Sequence, residues 1–277
     1  MSQTLYTNSL IFNREAIIEQ TKSFNLFNDV LAKLTFTDTA ACEYVLRILT
    51  NDPSLSVIEN RTQFTINKFA AKDIIMDVLV EDASHKLYEI EIQQTDAQID
   101  HARRMLYYSS TIIESHLPKG DKKYKNVPEL YIYYITKPDI WHLGCTCYKV
   151  NKHLNNFSIP YDDGLHMFYI NAEVDDGSTI ANLMKYFKTA EAHDFNHGAL
   201  SKQINFLKTT KEGQSAMCEF SEQLRNEGKN EGKLEATFND LKNIMQSFNV
   251  SSDKAMDVLK TPQEDRQFYK DLLAKGL

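Results

Sequence analysis

Two runs of apolar and β-branched residues, with polar residues at alternating positions, lie in the middle of the chain. They span residues 74–80 and 87–93, and a polar stretch around Ser84 separates them. Strand-like runs on either side of a short polar stretch predict a β-hairpin. With the turn centred near Ser84, Asp77 is expected to lie opposite Glu91.

The two faces of the predicted hairpin differ in polarity. Because side chains alternate along a strand and directly opposed residues share a face, each face follows from the sequence. One face is apolar and is expected in the core; it carries Met76, Val78, Val80, Tyr88, Ile90 and Ile92. The other face is mostly polar; it carries Asp77, Glu89, Glu91 and Gln93, together with Ile75 and Leu79.

The polar face indicates a candidate metal site. Two opposed carboxylates about 5 Å apart repel each other and destabilise a sheet, and a cation between them removes that cost. Oxygen ligands suit a hard ion such as Mg²⁺ or Mn²⁺. Two alternatives stay open. The face could be solvated, with carboxylates that lean apart, or a register slip of one residue could move Asp77 to the other face.

Helical and strand patterns alternate along the rest of the chain. Before the hairpin, the predicted elements are a helix over residues 14–34, a second helix that Asp38 or Thr39 could cap and that Asn51-Asp52-Pro53 ends, and a strand over 62–69. After it come a helix, three strands and a further helix, over residues 97–117, 130–136, 147–150, 167–170 and 177–187. This alternation ends near residue 200.

The composition also changes near residue 200, which predicts a domain boundary. Residues 200–277 are rich in lysine, glutamate and asparagine and contain few aromatics. The EGK repeat at 227–233 predicts a hinge or a frayed helix, and two helices are expected after it, over 235–248 and 252–259. We therefore divide the chain into a domain over 1–199 and a small helical appendage for oligomerisation or partner contact.

The composition is that of an ordinary globular protein, with 42% hydrophobic and 25% charged residues among 277. The N-terminus lacks a basic start and a long apolar run, so no signal peptide is expected. No apolar segment approaches the roughly 20 residues that span a bilayer, so no membrane partner is expected.

Four cysteines without a CxxC pair favour reduced thiols and a cytoplasmic location. The net charge of −7 argues against a general polyanion-binding surface, so nucleic acid would need a local basic patch.

Two groups of basic residues could form such a patch. Arg103 and Arg104 lie near the start of the helix after the hairpin, one turn before Tyr107 and Tyr108. The run KGDKKYK at 119–125 is the most basic local stretch. Either group could contact phosphates, or it could be an ordinary exposed surface.

The hairpin and the helix after it resemble a known group of enzymes. The ordered set Asp77, Glu91-Ile92-Gln93 and Arg104 with Tyr107-Tyr108 is similar to the PD-(D/E)xK nuclease superfamily, and more closely to its recombination-promoting nuclease/transposase (Rpn) family. Further segments follow the order of that family: Asp29 with Leu31 and Leu34, Gly120 with Tyr124, the aromatic run 131–135, and Asp139-Ile140-Trp141. The resemblance covers about residues 20–190, and the EGK repeat is similar to the connector of that family.

The resemblance implies a fold and an activity. The fold is an α/β restriction-endonuclease-like core, in which helices flank a mixed central sheet. The activity is that of a metal-dependent DNA endonuclease that hydrolyses phosphodiester bonds, linked to recombination, transposition or defence against mobile elements and phage. Since one site cuts one strand, double-strand cleavage would favour a homodimer.

The resemblance also implies roles for individual residues. Asp77 and Glu91 ligate Mg²⁺ (or Mn²⁺), helped by the Ile92 carbonyl, and Gln93 orients the attacking water. The residues that hold the DNA backbone are Arg103, Arg104, Lys122, Lys123 and Lys125. The candidate additional acids are Glu89 and Glu43.

The sequence departs from the expected pattern at three positions, one of which is the leucine that replaces the phenylalanine expected after Asp29. Met76 stands where a proline usually precedes the aspartate, and Gln93 stands where the superfamily has a lysine, as is usual in the Rpn family. A lysine can polarise the attacking water as a cation, whereas glutamine can only hydrogen-bond to it. Water activation would therefore depend more on the metal.

Two other functions remain open at this point. The first is a catalytically inactive nuclease-like module that binds DNA or a partner, which fits Gln93 and the acidic net charge. The second is a glycosidase that uses Glu89 and Glu91, which as residues i and i+2 lie roughly 6.5 Å apart, between the separations of retaining and inverting enzymes. The absence of an aromatic sugar platform near the hairpin argues against the glycosidase.

Overall fold

The computed structural model describes residues 15–66, 74–94, 99–117, 120, 122–154 and 159–274. Contacts divide the chain into two compact units, Met1–Cys218 and Glu219–Leu277. Residues 67–69 of the predicted first strand, residues 97 and 98 of the predicted helix and part of the 119–125 loop lie outside the described residues.

One mixed sheet of six strands organises the first unit, in the order β1-β2-β3-β4-β6-β5. The strands are β1 (Val57–Ile66), β2 (Ile74–Asp82), β3 (Leu87–Gln93), β4 (Leu130–Thr136), β5 (Cys147–Lys149) and β6 (Leu165–Asn171). Strands β1, β2 and β3 are antiparallel neighbours, β3, β4 and β6 are parallel, and β5 is antiparallel to β6. The parallel strands therefore all end at the sheet edge that carries Gln93.

The helices follow the predicted order. They are α1 (Asp29–Phe36), α2 (Thr39–Thr50), α3 (His101–His116), α4 (Thr179–Thr189), α5 (Gly198–Thr209), α6 (Lys211–Phe248), α7 (Ser252–Val258) and α8 (Arg266–Ala274). Several begin at polar side chains that accept a backbone N–H of the first turn, which satisfies a donor that has no partner inside the helix; these caps are Asn28, Asp38, Asp100 and Ser178. The expected α/β class, with helices flanking a mixed sheet, is confirmed.

The single helix predicted over residues 14–34 is interrupted before α1. The Asn25 side chain accepts the N–H of Phe27 at 3.0 Å, and the Asn28 side chain accepts the N–H of Val30 at 3.1 Å. Such bonds from side chain to backbone compete with continuation of a helix. They separate a helical segment at residues 15–22 from α1.

The predicted hairpin register is confirmed near the turn. Val78 lies opposite Ile90 and Leu79 lies opposite Glu89. The paired residues run from Glu81–Leu87 to Val78–Ile90, which is one residue short of the predicted pairing of Asp77 with Glu91. Beyond that point the Asp77 carboxylate accepts a hydrogen bond from the backbone of the neighbouring strand, so this side chain takes the place of a ladder bond.

Both faces of the hairpin are buried. On the apolar face predicted to lie in the core, Val78, Val80 and Ile90 are buried as expected. Helix α3 covers the other face with a cluster that comprises Leu79, Leu87, Met105, Ile112, Leu130, Ile132, Tyr134 and Tyr169. Helices α1 and α2 contact β1, and α4 and α5 contact α2. The acidic face therefore lies beneath a helix, which overturns the alternative of a solvated polar face.

The second unit is helical and has a small core of its own, formed by Leu241, Ala255, Met256 and Tyr269. The EGK repeat lies inside α6, which is helical throughout, so of the two predicted alternatives the repeat is part of a helix and not a hinge. Glutamate and lysine are good helix formers and offset the two glycines of the repeat. The unit boundary falls after Cys218 and not near residue 200, because α5 packs against α1 and α2. No helix among the described residues is long and apolar enough to cross a membrane.

Candidate active site

Three carboxylates from β2 and β3 meet beneath the start of α3. Glu89 and Glu91 are 0% and 1% exposed, and Asp77 is half-buried. Strand β3 lies between β2 and β4 and is buried along almost its whole length. Since a buried charge without partners is costly, two acids on such a strand point to a function that needs them.

Hydrogen bonds hold this cluster at the end of the hairpin. The N–H of Ile92 donates to Asp77 Oδ2 at 2.8 Å, and Gln93 Nε2 donates to Glu91 Oε1 at 2.9 Å. The Arg104 guanidinium donates to the same Glu91 oxygen and forms an ion pair with it. The predicted catalytic and metal-binding residues of the hairpin are therefore close together.

The start of α3 places Arg104 over the carboxylates. The Asp100 carboxylate caps the helix by accepting the N–H of Arg103 at 3.0 Å, which fixes where the first turn begins. The Tyr108 ring, one turn later, lies 5.1 Å from the guanidinium carbon in a cation–π contact. Arg104 thus bridges strand and helix, whereas the Arg103 side chain is exposed and pairs with Asp100 at 3.4 Å.

Three carboxylate oxygens in this cluster have no hydrogen-bond partner among the described residues. They are Glu89 Oε1, Glu89 Oε2 and Glu91 Oε2. A buried acceptor without a donor costs about 1–3 kcal/mol, and more when it is charged. These oxygens are hard donors of the type that Mg²⁺ and Mn²⁺ prefer, so the residues fit a divalent cation. As the side chains stand, no group of three or more acidic, histidine or cysteine residues in the described segments is arranged to hold a metal ion.

Burial raises the pKa of all three acids, and repulsion within the cluster adds to the shifts of Glu89 and Glu91. Burial raises the pKa of Asp77 to about 6, although the Ile92 N–H opposes the shift. Burial, followed by the charge of Asp77, raises the pKa of Glu91 to about 8, and Arg104 opposes this shift. Burial and the charges of the other two acids hold the pKa of Glu89 well above its ordinary value. One guanidinium does not compensate three charges, so full ionisation needs a further cation.

Replacing Glu89 with glutamine is expected to stabilise the metal-free protein at neutral pH by about 1–3 kcal/mol, because it removes an unpaired buried acid. Folding raises the pKa of Glu89. The free energy by which this residue destabilises the folded state is therefore absent below its unfolded pKa of about 4.3 and grows as the pH rises. Urea denaturation in EDTA at acidic and neutral pH measures the difference. The exposed Glu129→Gln variant is the control. An equal stability of both variants at all pH values would contradict this account.

Helix α1 adds two charged residues to the same region, and sequence reasoning gave neither of them a role. The charges of Lys33 and Asp29 act on the Asp77 carboxyl in opposite directions, lowering and raising its pKa. The two residues are four apart on a helix that contacts β2, so they share a face. The spacing and the Asn28 cap were visible in the sequence, but which strand α1 packs against was not.

The acid proposed from the sequence for this role, Glu43, is engaged elsewhere. Its carboxylate accepts the N–H of Val57 at 3.0 Å and pairs with Arg47 at 2.5 Å. These contacts fasten α2 to the start of β1. Among the described contacts of Glu43, none is with the three carboxylates of the hairpin.

The predicted lysine loop lies at the other end of α3. Lys122, Lys123 and Lys125 are exposed between the end of α3 and the start of β4. Helix α3 has 16 residues and is therefore about 24 Å long. Because α3 begins near the carboxylates, the structure brings Arg104 and Arg103 to this region but not the three lysines.

A comparison with protein families identifies the group to which this chain belongs. The model of the PD-(D/E)XK nuclease family transposases matches residues 58–258. The chain belongs to this family. The matched range contains Asp77, Glu91 and Gln93 and extends through α6 and α7. Searches of curated proteins and of solved structures gave no match.

Proposed function

We propose that this PD-(D/E)XK family protein is a metal-dependent DNA endonuclease whose active site is the carboxylate cluster at the end of the hairpin. The observation that carries the proposal is the set of buried carboxylate oxygens on Glu89 and Glu91, beside Asp77, for which the described part of the chain provides no hydrogen-bond donor. Buried acceptors without partners lower the stability of a fold, so their presence here indicates that a bound ligand satisfies them. Membership of a nuclease family makes a divalent cation the ligand of choice and sets the glycosidase aside.

Asp77, Glu91 and the backbone carbonyl of Ile92 would hold Mg²⁺ or Mn²⁺, and Glu89 and Asp29 are the acids that could complete the set. When bound, the ion supplies Lewis acidity, which lowers the pKa of water and stabilises charge on the phosphate. Arg104 and Gln93 both donate to the same Glu91 oxygen. Arg104 would have to give up part of this contact when Glu91 binds the ion. The released guanidinium suits a phosphate group, because two of its N–H groups can donate to two phosphate oxygens.

The other residues of this region position the substrate. The Gln93 amide donates to Glu91 and can instead donate to the attacking water. Lys33 on α1 brings a positive charge to the same end of the sheet, where the superfamily lysine is replaced by Gln93. Exposed Arg103 would contact the DNA backbone next to the site, and the lysines at 122, 123 and 125 would contact it farther along.

Replacing Gln93 with alanine is expected to lower the cleavage rate about 10-fold, because one hydrogen bond that holds Glu91 and orients water is lost. Gln93→Lys restores the superfamily residue and is expected to keep activity at or above that of the wild type. Initial nicking rates under saturating metal measure both. Equal rates for the alanine variant and the wild type would remove Gln93 from the mechanism.

A second candidate function is a nuclease-fold module that binds DNA or a partner without cutting. The observation that favours it is the Arg104–Glu91 ion pair, which already neutralises one of the acids. Incubation of supercoiled plasmid with the wild-type protein in Mg²⁺, Mn²⁺ or EDTA separates the two. Metal-dependent nicking and linearisation support the endonuclease, whereas DNA binding without cutting in either metal supports the module.

The biological setting that we propose is recombination or transposition, or defence against mobile elements and phage. A homodimer would place one site on each strand of a duplex, and the second unit offers helices for such an assembly. Size-exclusion chromatography with light scattering tests the dimer: a mass of twice 32.0 kDa is expected.

A further inference from the structure

The loop after β4 presents apolar side chains at the sheet edge that carries the proposed active site. Trp141 is 41% exposed and Leu143 is 73% exposed. The loop begins directly beside β3, since the N–H of Lys137 donates to the Gln93 carbonyl at 3.1 Å. Exposed aromatic and aliphatic residues next to a nucleic-acid site commonly contact bases.

Buried Asp139 fixes the shape of this loop. Its carboxylate accepts the N–H groups of Trp141 at 3.2 Å and Gly144 at 3.0 Å, and the hydroxyl of Tyr148 at 2.9 Å. The N–H of Asp139 in turn donates to Glu173 at 2.7 Å. The tryptophan is therefore held in place before any ligand binds, which lowers the entropy cost of stacking.

Trp141 is supported from beneath and open on the outside. Its ring stands edge-on to Tyr169, with centroids 5.3 Å apart and planes at 88°. Tyr169 lies on β6, on the face covered by α3, and the charge of Asp100 at the start of α3 contributes, after burial, to its raised pKa. The exposed part of the indole therefore lies on the same side of the sheet as Arg103 and Arg104.

The distance between the loop and the carboxylates suits a short stretch of nucleic acid. Strands β3 and β6 are separated by β4, so two strand spacings of about 5 Å each lie between Glu91 and the support of Trp141. A stacked strand rises about 3.4 Å per nucleotide. An unpaired base about three nucleotides from the scissile phosphate could therefore reach the indole.

We propose that Trp141 is a stacking platform for an unpaired base, and that the substrate of this site is single-stranded DNA or duplex DNA with an unpaired base. This inference rests on the proposed endonuclease function and adds its substrate class. Every base has a π face, so stacking on Trp141 gives affinity for unpaired strands without sequence preference. In an intact duplex the bases are already stacked and cannot reach the ring.

Trp141 is the only tryptophan of the chain, so its fluorescence reports on this residue alone. The wild-type protein in EDTA is titrated with oligothymidylate, a perfect duplex and the same duplex with one unpaired thymine, while the anisotropy of labelled DNA records binding. Saturable quenching by the strand and by the duplex with the unpaired thymine, but not by the perfect duplex, is expected. Binding of the strand with unchanged Trp141 fluorescence, or equal quenching by the perfect duplex, would overturn the inference.

Variants separate stacking from a structural role of the ring. Trp141→Ala is expected to weaken binding of oligothymidylate about 5- to 100-fold, whereas Trp141→Phe keeps a ring and stays within a few-fold of the wild type. Phe195→Ala, which removes an exposed aromatic between α4 and α5, is the control and should bind like the wild type. An unaltered affinity of Trp141→Ala for oligothymidylate would contradict the platform.

The outcomes also separate this inference from the proposed function. Metal-dependent plasmid cutting with no change of Trp141 fluorescence on DNA binding would overturn this inference alone. The absence of both DNA binding and cutting would overturn the proposed function as well.

Discussion

Replacing Arg104 with alanine is expected to lower the free energy of unfolding of the metal-free protein by about 3 kcal/mol near pH 9, where Glu91 is ionised. The side chain is the cation that touches the buried Glu91 carboxylate, and breaking a buried ion pair leaves its partner uncompensated. Arg104 also lowers the pKa of both Asp77 and Glu91, so both acids lose a stabilising charge. Urea denaturation in EDTA, followed by circular dichroism, measures the loss.

The pH dependence identifies the cause of this destabilisation. The pKa of Glu91 in the folded protein is about 8, above its unfolded value, so the carboxyl is mostly charged near pH 9 and mostly protonated at neutral and acidic pH. The free-energy cost of Arg104→Ala should therefore shrink as the pH falls from about 9 to about 7. It should also shrink in the double variant with Glu91→Gln, which has no charge to compensate. If Arg104→Ala lowers the free energy of unfolding equally at high and low pH, and equally in the wild-type and Glu91→Gln backgrounds, then Arg104 contributes only packing.

Replacing Asp77 with asparagine or Glu91 with glutamine is expected to reduce DNA cleavage at least ~100-fold while DNA binding in EDTA is retained. Each change keeps the size of the side chain but removes a charged oxygen ligand, and loss of metal-based charge stabilisation costs several kcal/mol in the transition state. Both amides relieve charge repulsion in the cluster, so neither variant should be less stable than the wild type in EDTA. Lost activity can then be assigned to chemistry and not to unfolding.

The matched control is Glu129→Gln, which changes an exposed acid at the opposite end of the parallel strands. Its cleavage rate should equal that of the wild type. Cleavage by Asp77→Asn at the wild-type rate would remove the hairpin from catalysis. Loss of DNA binding along with cleavage would show that these acids support the binding surface instead.

The hairpin could be predicted from the sequence because its signals are local. Alternation with period two and the polar stretch around Ser84 determine which residues face each other, and Val78 lies opposite Ile90 as a result. The burial of Glu89 and Glu91 could not be predicted in this way. It depends on α3 packing over that face, and a pattern of residues along one strand contains no information about which helix covers it.

Longer-range contacts explain the other differences. Sequence reasoning assigned the helix-borne acid to Glu43, whereas Asp29 and Lys33 are the charges on α1 that act on Asp77. Glu43 and Asp29 are both acids on early helices, and only the packing of α1 against β2 separates them. Similarly, Arg104 lies near the carboxylates because α3 begins beside β3, while the lysine loop follows the far end of that helix.

One measurement tests the central claim most directly: the initial nicking rate of supercoiled plasmid as a function of Mn²⁺ concentration, for the wild-type protein and for Asp77→Asn. If the hairpin carboxylates hold a catalytic metal, the wild-type rate rises from zero in EDTA and saturates, while the variant stays at least ~100-fold slower at every concentration. Equal rates for the two proteins, or cutting by the wild type in EDTA, would contradict the account. A wild type that binds DNA and never cuts it would identify the protein as a binding module with a nuclease fold.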